Sequence, residues 1–269
     1  MAEQRQALVS GTTRFIAILG DPVAQVLSPE VYNPRLAQAG ADVLLIPLHV
    51  PASAFEAVMP GLLRVANLAG LIFTVPFKQR AMAFADRVLP SAQQIGTINT
   101  MRRDPGGGWT ADMFDGAGLV RGLEQLDAAP RNRKVLLVGT GGAGRAIAVA
   151  LARAGADALT LCDLDQDKAR GLAGDVQRFY PDCVVTASGS VDAQGYDILI
   201  NATPVGMAPN DGLPLPLRLR PEMVVFDIVP KPAVTPLLAE AARVGCRFGG
   251  GRLMIDCQAD AVLEFLGFA

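Results

Sequence analysis

The chain has 269 residues, 51% of them hydrophobic and 19% charged, with a formal net charge of −2. That is enough apolar material for two compact domains sharing a cleft, and it excludes a disordered chain. The near-neutral balance, without a basic stripe or interleaved aromatics, excludes a nucleic-acid surface. Four cysteines without a CxxC pair and a lone His49 give no grounds for disulfides or a metal.

In chain order, Met1–Arg14 carries Glu3 and Arg5 and no secretory apolar core. No apolar run is long enough to span a membrane, so a cytoplasmic protein is expected. Alternation follows: strand Phe15–Gly20, helix Pro29–Ala39, strand Val43–Leu48, helix Ala52–Val65 and strand Leu71–Val75. Short helices around Phe77–Phe84 and near Ser91 precede a hairpin, Thr97–Arg102, turning at Asp104–Gly108 into Trp109 and Thr110. His49, at a strand end, is assigned no function. An amphipathic helix, Asp115–Leu126, bridges to a second region whose strands end at Val138, Cys162, Thr186, Asn201 and Asp227. The last helix spans Leu253–Leu266.

The most informative segment is Lys134–Val138, a buried strand emptying into Gly139-Thr140-Gly141-Gly142-Ala143-Gly144 and the helical stretch Ala146–Ala154. A GxGxxG string alone is weak, but between a strand and a helix it reads as a dinucleotide turn. Gly139 permits the tight turn, Gly141 lets backbone N–H groups approach a pyrophosphate, and Gly144 lets helix pack on strand. The plainer alternative is a strand-to-helix turn without a ligand. The next strand, Ala158–Cys162, ends at Asp163, 19 positions after Gly144, where an acid meets the adenosine ribose hydroxyls. Leu164 and Asp165 follow in place of an arginine, which points to NAD over NADP. Asp163 or Asp165 is alternatively a helix N-cap, and Asp165 suits that role.

The expected fold is therefore α/β in two domains. An N-terminal α/β substrate domain covers 1–113 and a doubly wound Rossmann NAD-binding domain covers 114–252, with the helix 253–269 packing back on the first.

The order of segments resembles the shikimate/quinate dehydrogenase family over nearly the whole chain. Gly20-Asp21-Pro22-Val23 with Ser28-Pro29 and Asn33 is similar to that family's opening segment, Thr74-Val75-Pro76-Phe77-Lys78 to its TxPxK motif, and Ile95–Thr100 to IGAVNT. Asp115 matches the aspartate of NTD, Asn201–Met207 matches NATxxGM, and Gly251, Met254, Gln258 and Ala259 match GxxMxxxQA. The resemblance implies hydride transfer to or from a secondary alcohol, in aromatic amino acid biosynthesis or on quinate. It implies Lys78 and Asp115 as the catalytic pair, with Ser28, Thr74, Asn99 and Gln258 at the substrate. It also sets Asn201, Ala202, Thr203, Pro204, Gly206, Met207, Val229, Gly251 and Met254 beside the cofactor, together with Gly139–Gly144, Asp163 and Leu164. The chemistry independently asks for a group to take the hydroxyl proton, and with one histidine in the chain a lysine is the natural substitute. The competing reading is a surface lysine and an aspartate capping the 115–126 helix, a role Asp115 can combine with catalysis.

Departures from the family pattern cluster at substrate contacts. One of two carboxylate-binding serines is Val26, a neighbouring histidine is Gln25, and the asparagine of NVT is Ile72. Met113 and Phe114 precede the aspartate in place of asparagine and threonine, and Pro230 occupies a tyrosine position. Hydrogen bonds to a charged group contribute ~1.5–3 kcal/mol each, so losing the hydroxyls at Val26 and Pro230 costs about 3–6 kcal/mol of carboxylate affinity. The expected substrate is a less acidic or bulkier cyclic alcohol or ketone, against a wall of Val26, Ile72 and Phe114. Compensating donors from Ser28, Thr74 and Gln25 are the alternative. Two further readings are a non-catalytic NAD-binding sensor, which has no use for Lys78 and Asp115, and a folate-linked dehydrogenase, which the NATxxGM and QA segments disfavour. The expected partner is a small molecule, and the chain a monomer or homodimer.

Overall fold

Two six-stranded sheets follow one another along the chain in the computed structural model, which describes residues 9–189 and 193–268. Residues 1–8 of the opening segment and residue 269 of the last helix lie outside the described residues.

The first sheet contains β1 (Arg14–Gly20), β2 (Val43–His49), β3 (Leu68–Phe73), β4 (Arg87–Val88), β5 (Thr100–Arg103) and β6 (Trp109–Asp112), in the order β2-β1-β3-β5-β6-β4. β1 is parallel to β2 and β3, whereas β5 is antiparallel to β3 and β6. Its helices are α1 (Ser28–Gln38), α2 (Phe55–Leu62) and α3 (Pro90–Ile95). Asn33 fixes α1 on β2 by a paired contact, donating to Leu45 O at 3.0 Å and accepting from Leu45 N at 2.7 Å.

After α4 (Asp115–Gln125), the second sheet is wholly parallel: β7 (Lys134–Val138), β8 (Ala158–Cys162), β9 (Val184–Ser188), β10 (Ile198–Asn201), β11 (Val224–Asp227) and β12 (Arg247–Gly250). Their order is β12-β11-β10-β7-β8-β9, flanked by α5 (Gly142–Arg153), α6 (Gln166–Phe179) and α7 (Pro236–Val244). This is the doubly wound Rossmann order, with its switch point between β7 and β10, where such sheets take ligands at their carboxyl ends.

The last helix, α8 (Gly251–Leu266), returns to the first sheet. Val262, Leu263 and Leu266 share a buried cluster with Ile16 and Ile18 of β1 and Val31 of α1. Among the described residues no helix is long and apolar enough to cross a membrane.

Several boundaries depart from the sequence expectation. β3 starts at Leu68 and ends at Phe73, not Leu71–Val75. Gly70 lies where an added Cβ would come within 2.6 Å of Leu266 Cδ2, so the strand carries a glycine to admit α8, and that glycine masks the strand in the sequence. The expected Ala52–Val65 helix is a short 3₁₀ turn followed by α2, and the Phe77–Phe84 helix is a 3₁₀ segment at Arg80–Phe84. β4, β12 and α7 were not anticipated; the two strands are too short to show a period.

Candidate active site

Lys78 follows β3 by a short connection, and its carbonyl accepts Ile98 N–H at 2.9 Å, which ties it to the segment leading into β5. Asn99 is held by both of its neighbours: Phe73 N–H donates to its carbonyl at 2.8 Å, and its own N–H donates to Asp112 O at 3.1 Å. Its side-chain Oδ1 accepts Thr100 Oγ1 at 3.0 Å and Phe114 N–H at 3.1 Å, which turns Nδ2 toward Asp115 Oδ1 at 2.8 Å and Gln258 Oε1 at 3.4 Å. The other Asp115 oxygen is hydrogen-bonded and ion-paired to Lys78 Nζ. Lys78, Asp115, Asn99 and Gln258 thus form one chain of contacts. The lysine side chain is 13% exposed and the aspartate side chain 3%, so the surface-lysine reading does not hold.

Asp115 opens α4 but does not cap it. The N-cap is Phe114, without a side-chain cap hydrogen bond, and the carboxylate is committed to Lys78 and Asn99. The helix N-terminus favours negative charge there. Two glycines of α4 bring its neighbours in. A Cβ at Gly116 would fall 2.4 Å from Ala146 O of α5, and one at Gly118 would fall 2.7 Å from Met254 O and 2.9 Å from Gln258 Cβ of α8. Gln258 reaches Asn99 because Gly118 lets α8 approach.

Ser28 begins α1 and is buried, and Thr74 follows β3. Ile72 is buried in a cluster against which Val26 and Phe114 pack, and Phe114 also meets Phe265 at a ring distance of 5.4 Å. The three expected wall residues therefore share one apolar group. His49 closes β2 and contacts Asp21 at 2.9 Å; hydrogen bonds from His49 and Ala52 N–H hold the Asp21 carboxyl below the usual range.

The glycine turn meets the geometric demands of a dinucleotide. Gly139 has φ +94°, and a Cβ on it would lie 2.8 Å from Ala202; one on Gly144 would lie 2.0 Å from Gly139 O. A Cβ on Gly141 would meet nothing within 4 Å, which leaves open space over the start of α5, where unpaired N–H groups favour an anion. Gly142 joins turn and polar chain: its Cβ would sit 3.1 Å from Lys78 Cβ, and its carbonyl accepts Thr97 Oγ1 at 3.2 Å. A dinucleotide fits this turn.

Two residues expected at the cofactor are engaged with protein. Thr140 N–H and Oγ1 both donate to Asp163 Oδ2 at 2.7 Å, and Asp165 N–H donates to Asp163 Oδ1 at 2.9 Å. Burial works against the Asp163 charge, but these bonds outweigh it and hold the carboxyl below its ordinary range. Asp165 caps α6, accepting Lys168 N–H at 3.2 Å, as expected. Leu164 is fully exposed.

Asn201 is wholly buried, and its amide shapes its own loop. It donates to Val205 O and Asp227 Oδ1 at 3.0 Å and accepts from Thr203 N–H at 3.0 Å and Thr203 Oγ1 at 2.7 Å. The sequence reading missed Asp227 as its anchor. That carboxylate also accepts Val229 N–H at 3.1 Å and Thr235 Oγ1 at 2.6 Å; burial pushes its pKa up more than these bonds lower it. Its position at a strand end, the same signal that singled out Asn201, was available in the sequence. Ala202 abuts Gly139, Gly251 packs on the Ile228 and Val229 carbonyls, and Met254 is buried beside α4. Gly206 and Met207 line a groove of about 770 Å³ with Gln25, Lys231 and Thr235, within the size range of ligand pockets. Lys231 of this groove pairs with Glu30 of α1 at 3.0 Å.

The model of the shikimate dehydrogenase substrate binding domain matches residues 18–101. A shikimate dehydrogenase (NADP(+)) of Geobacter metallireducens is 33% identical over 264 residues, covering 95% of this chain and 91% of the relative. Among solved structures, ligand-free 5-ketofructose reductase of a Gluconobacter species superposes with a TM-score of 0.81 at 29% identity, covering 94% of this chain and 92% of that one. Quinate dehydrogenase from Corynebacterium glutamicum in complex with NAD does so with a TM-score of 0.80 at 26% identity, covering 94% and 93%. Fold, site and likenesses together define a dehydrogenase acting on CH–OH groups with a nicotinamide cofactor. The chain belongs to the shikimate/quinate dehydrogenase family.

Proposed function

We propose that the chain is an NAD-dependent dehydrogenase that interconverts a secondary hydroxyl and a ketone on a small cyclic polyol, and that shikimate is not its best substrate. The observation that carries this reading is the junction of the Lys78–Asp115 pair with the glycine turn at Gly142, beside an apolar wall of Val26, Ile72 and Phe114. In this reading residues 1–113 bind substrate and 114–252 bind the dinucleotide, with the helix 253–269 completing the substrate side.

When bound, the nicotinamide supplies the hydride acceptor for oxidation and the donor for reduction. Lys78 moves the proton: its ammonium gives one to the oxygen of a ketone being reduced, and its free amine takes one from a hydroxyl being oxidised. Asp115 orients the lysine nitrogen, and Asn99 and Gln258 hydrogen-bond neighbouring hydroxyls. Ser28 supplies a hydroxyl group from the start of α1 and Thr74 one from the connection after β3.

NAD is favoured by Asp163 and the exposed Leu164 at the end of β8. The cations nearest in sequence are drawn away, Lys168 to Asp165 at 3.2 Å and Arg170 to Asp167 at 2.6 Å. A 2′-phosphate would meet a carboxylate held in its charged form. The likeness to a 5-ketofructose reductase supports a carboxyl-free substrate. A second reading, a shikimate or quinate dehydrogenase whose carboxylate is held by Ser28, Thr74 and Gln25, is favoured by the relatives' names. Titrating the purified chain with NADH and NADPH, then assaying shikimate, quinate and 5-ketofructose, separates the two. Tighter binding of NADPH removes the cofactor assignment, and family-typical turnover of shikimate selects the second reading.

A further inference from the structure

We infer that Tyr32 is a specificity-determining residue, its phenol forming with the Ser28 hydroxyl an uncharged recognition point for a hydroxyl or carbonyl oxygen of the substrate away from the reacting carbon. The inference rests on the proposed function and names its substrate class as one that is neutral at this end.

Tyr32 lies four residues after Ser28 in α1, one turn on and on the same face. Long side chains in a helix lean toward its N-terminus, so the ring reaches back over the Ser28 turn. The ring is 2% exposed and belongs to the same buried cluster as Ile72, against which Val26 and Phe114 pack.

A buried phenol usually finds a hydrogen-bond partner, yet among the described residues none is formed to Tyr32 Oη. The sealed side-chain atoms lacking a partner are Gln25 Oε1 and Arg220 Nε among the described residues, so Tyr32 Oη is not completely sealed and its hydrogen-bonding capacity is left unused by the protein.

The charged groups around the phenol offer an anionic guest no free cation. Asp115, Asp256 and Asp260 act on it with negative charge, and Arg35 is the cation that does so. Arg35 is already paired with Asp256 and Asp260, each at 3.4 Å, and Lys78 is paired with Asp115. Burial, with the Asp115 charge adding to it, pushes the phenol pKa well up, so the hydroxyl keeps its proton for donation. A neutral polyol gains a donor and an acceptor here, whereas a carboxylate finds no uncommitted cation among the groups that act on the phenol.

The test is Tyr32→Phe in the full chain, which keeps the ring and its packing. With 5-ketofructose and NADH, KM is expected to rise about tenfold or more, while kcat, NADH affinity and Tm stay at the parent values. An unchanged KM overturns the inference, and so does a loss of kcat, NADH affinity and Tm together, the mark of a merely structural ring. Should the variant not fold, 3-fluorotyrosine in the parent gives an independent readout, since the chain has three tyrosines. The Tyr32 fluorine resonance is expected to shift on adding 5-ketofructose, and an unmoved resonance overturns the inference. If the parent turns over shikimate and not 5-ketofructose, the proposed function fails separately. A shikimate KM raised by Tyr32→Phe then keeps the residue's role, and an unchanged one removes it. If neither probe is bound by the parent, substrate reading and inference fall together.

Discussion

Lys78, Asp115, Asn99 and Gln258 are joined by hydrogen bonds on elements fixed from several sides, whereas Val26, Ile72, Phe114 and Tyr32 share an apolar cluster. The polar chain draws its members from the connection after β3, the approach to β5, the start of α4 and the middle of α8. Altering one of them leaves a buried charge or amide without its partner, which costs far more than the net worth of the bond. The wall is joined by non-directional packing, so a serine position can become valine without unsettling its neighbours. On the proposed function, the chemistry and the choice of substrate rest on different kinds of interaction, and the second is the freer to change.

The largest test of that contrast is Lys78→Ala. Turnover on any accepted substrate is expected to fall ~10²–10⁴-fold, with NADH affinity by fluorescence titration unchanged. A fall within about tenfold would remove the lysine from proton transfer. On the other side, Val26→Ser restores one hydroxyl near Ser28. A hydrogen bond to a charged group contributes ~1.5–3 kcal/mol, so kcat/KM for shikimate is expected to rise roughly 10–100-fold. If shikimate kinetics do not respond, the wall does not set carboxylate affinity.

Within the glycine turn, two substitutions separate folding from binding. Gly144→Ala places a methyl 2.0 Å from Gly139 O and is expected to lower stability by about 1–3 kcal/mol, read as a lower Tm. Gly141→Ala meets no atom within 4 Å, so Tm should hold while cofactor affinity drops about tenfold, as expected if the space belongs to a pyrophosphate. Equal NADH affinity in Gly141→Ala and parent would place the ligand elsewhere.

The smallest effect is a pH dependence at Asp163. Its folded pKa lies below the unfolded value, so its contribution to stability is complete above the ordinary carboxylate range. That contribution is lost as pH falls through the lower folded value, because the unfolded chain binds the proton first. Thermal melts in mild acid should show Asp163→Asn losing less stability than the parent as pH drops; parallel curves would contradict the assignment.

Much of this geometry was legible in the sequence because the motifs and the local turns shared residues. The Lys134–Val138 strand with its glycines showed both the turn and the switch point, and Lys78 and Asp115 stood in recognisable surroundings. What stayed hidden depends on three-dimensional neighbours. Gly70 weakens the apparent start of β3 because Leu266, nearly 200 residues later, needs its space. Asn201 looks like a ligand-facing amide until Asp227 and Thr203 are seen to occupy it. Thr140 likewise turns its donors to Asp163. Nothing in the sequence singles out Tyr32, and only the folded chain gathers its ring into the cluster of Ile72 within reach of Asp115's charge.

The most direct measurement is the ratio of kcat/KM for 5-ketofructose reduction with NADH to that for shikimate oxidation with NAD, taken on the unmodified chain. A retained proton-transfer pair behind a wall changed to neutral recognition predicts measurable turnover with a ratio of about ten or more, the effect of one strong hydrogen bond lost to the carboxylate. A ratio of a tenth or less, with shikimate turned over briskly, would contradict it and return the site to carboxylate recognition.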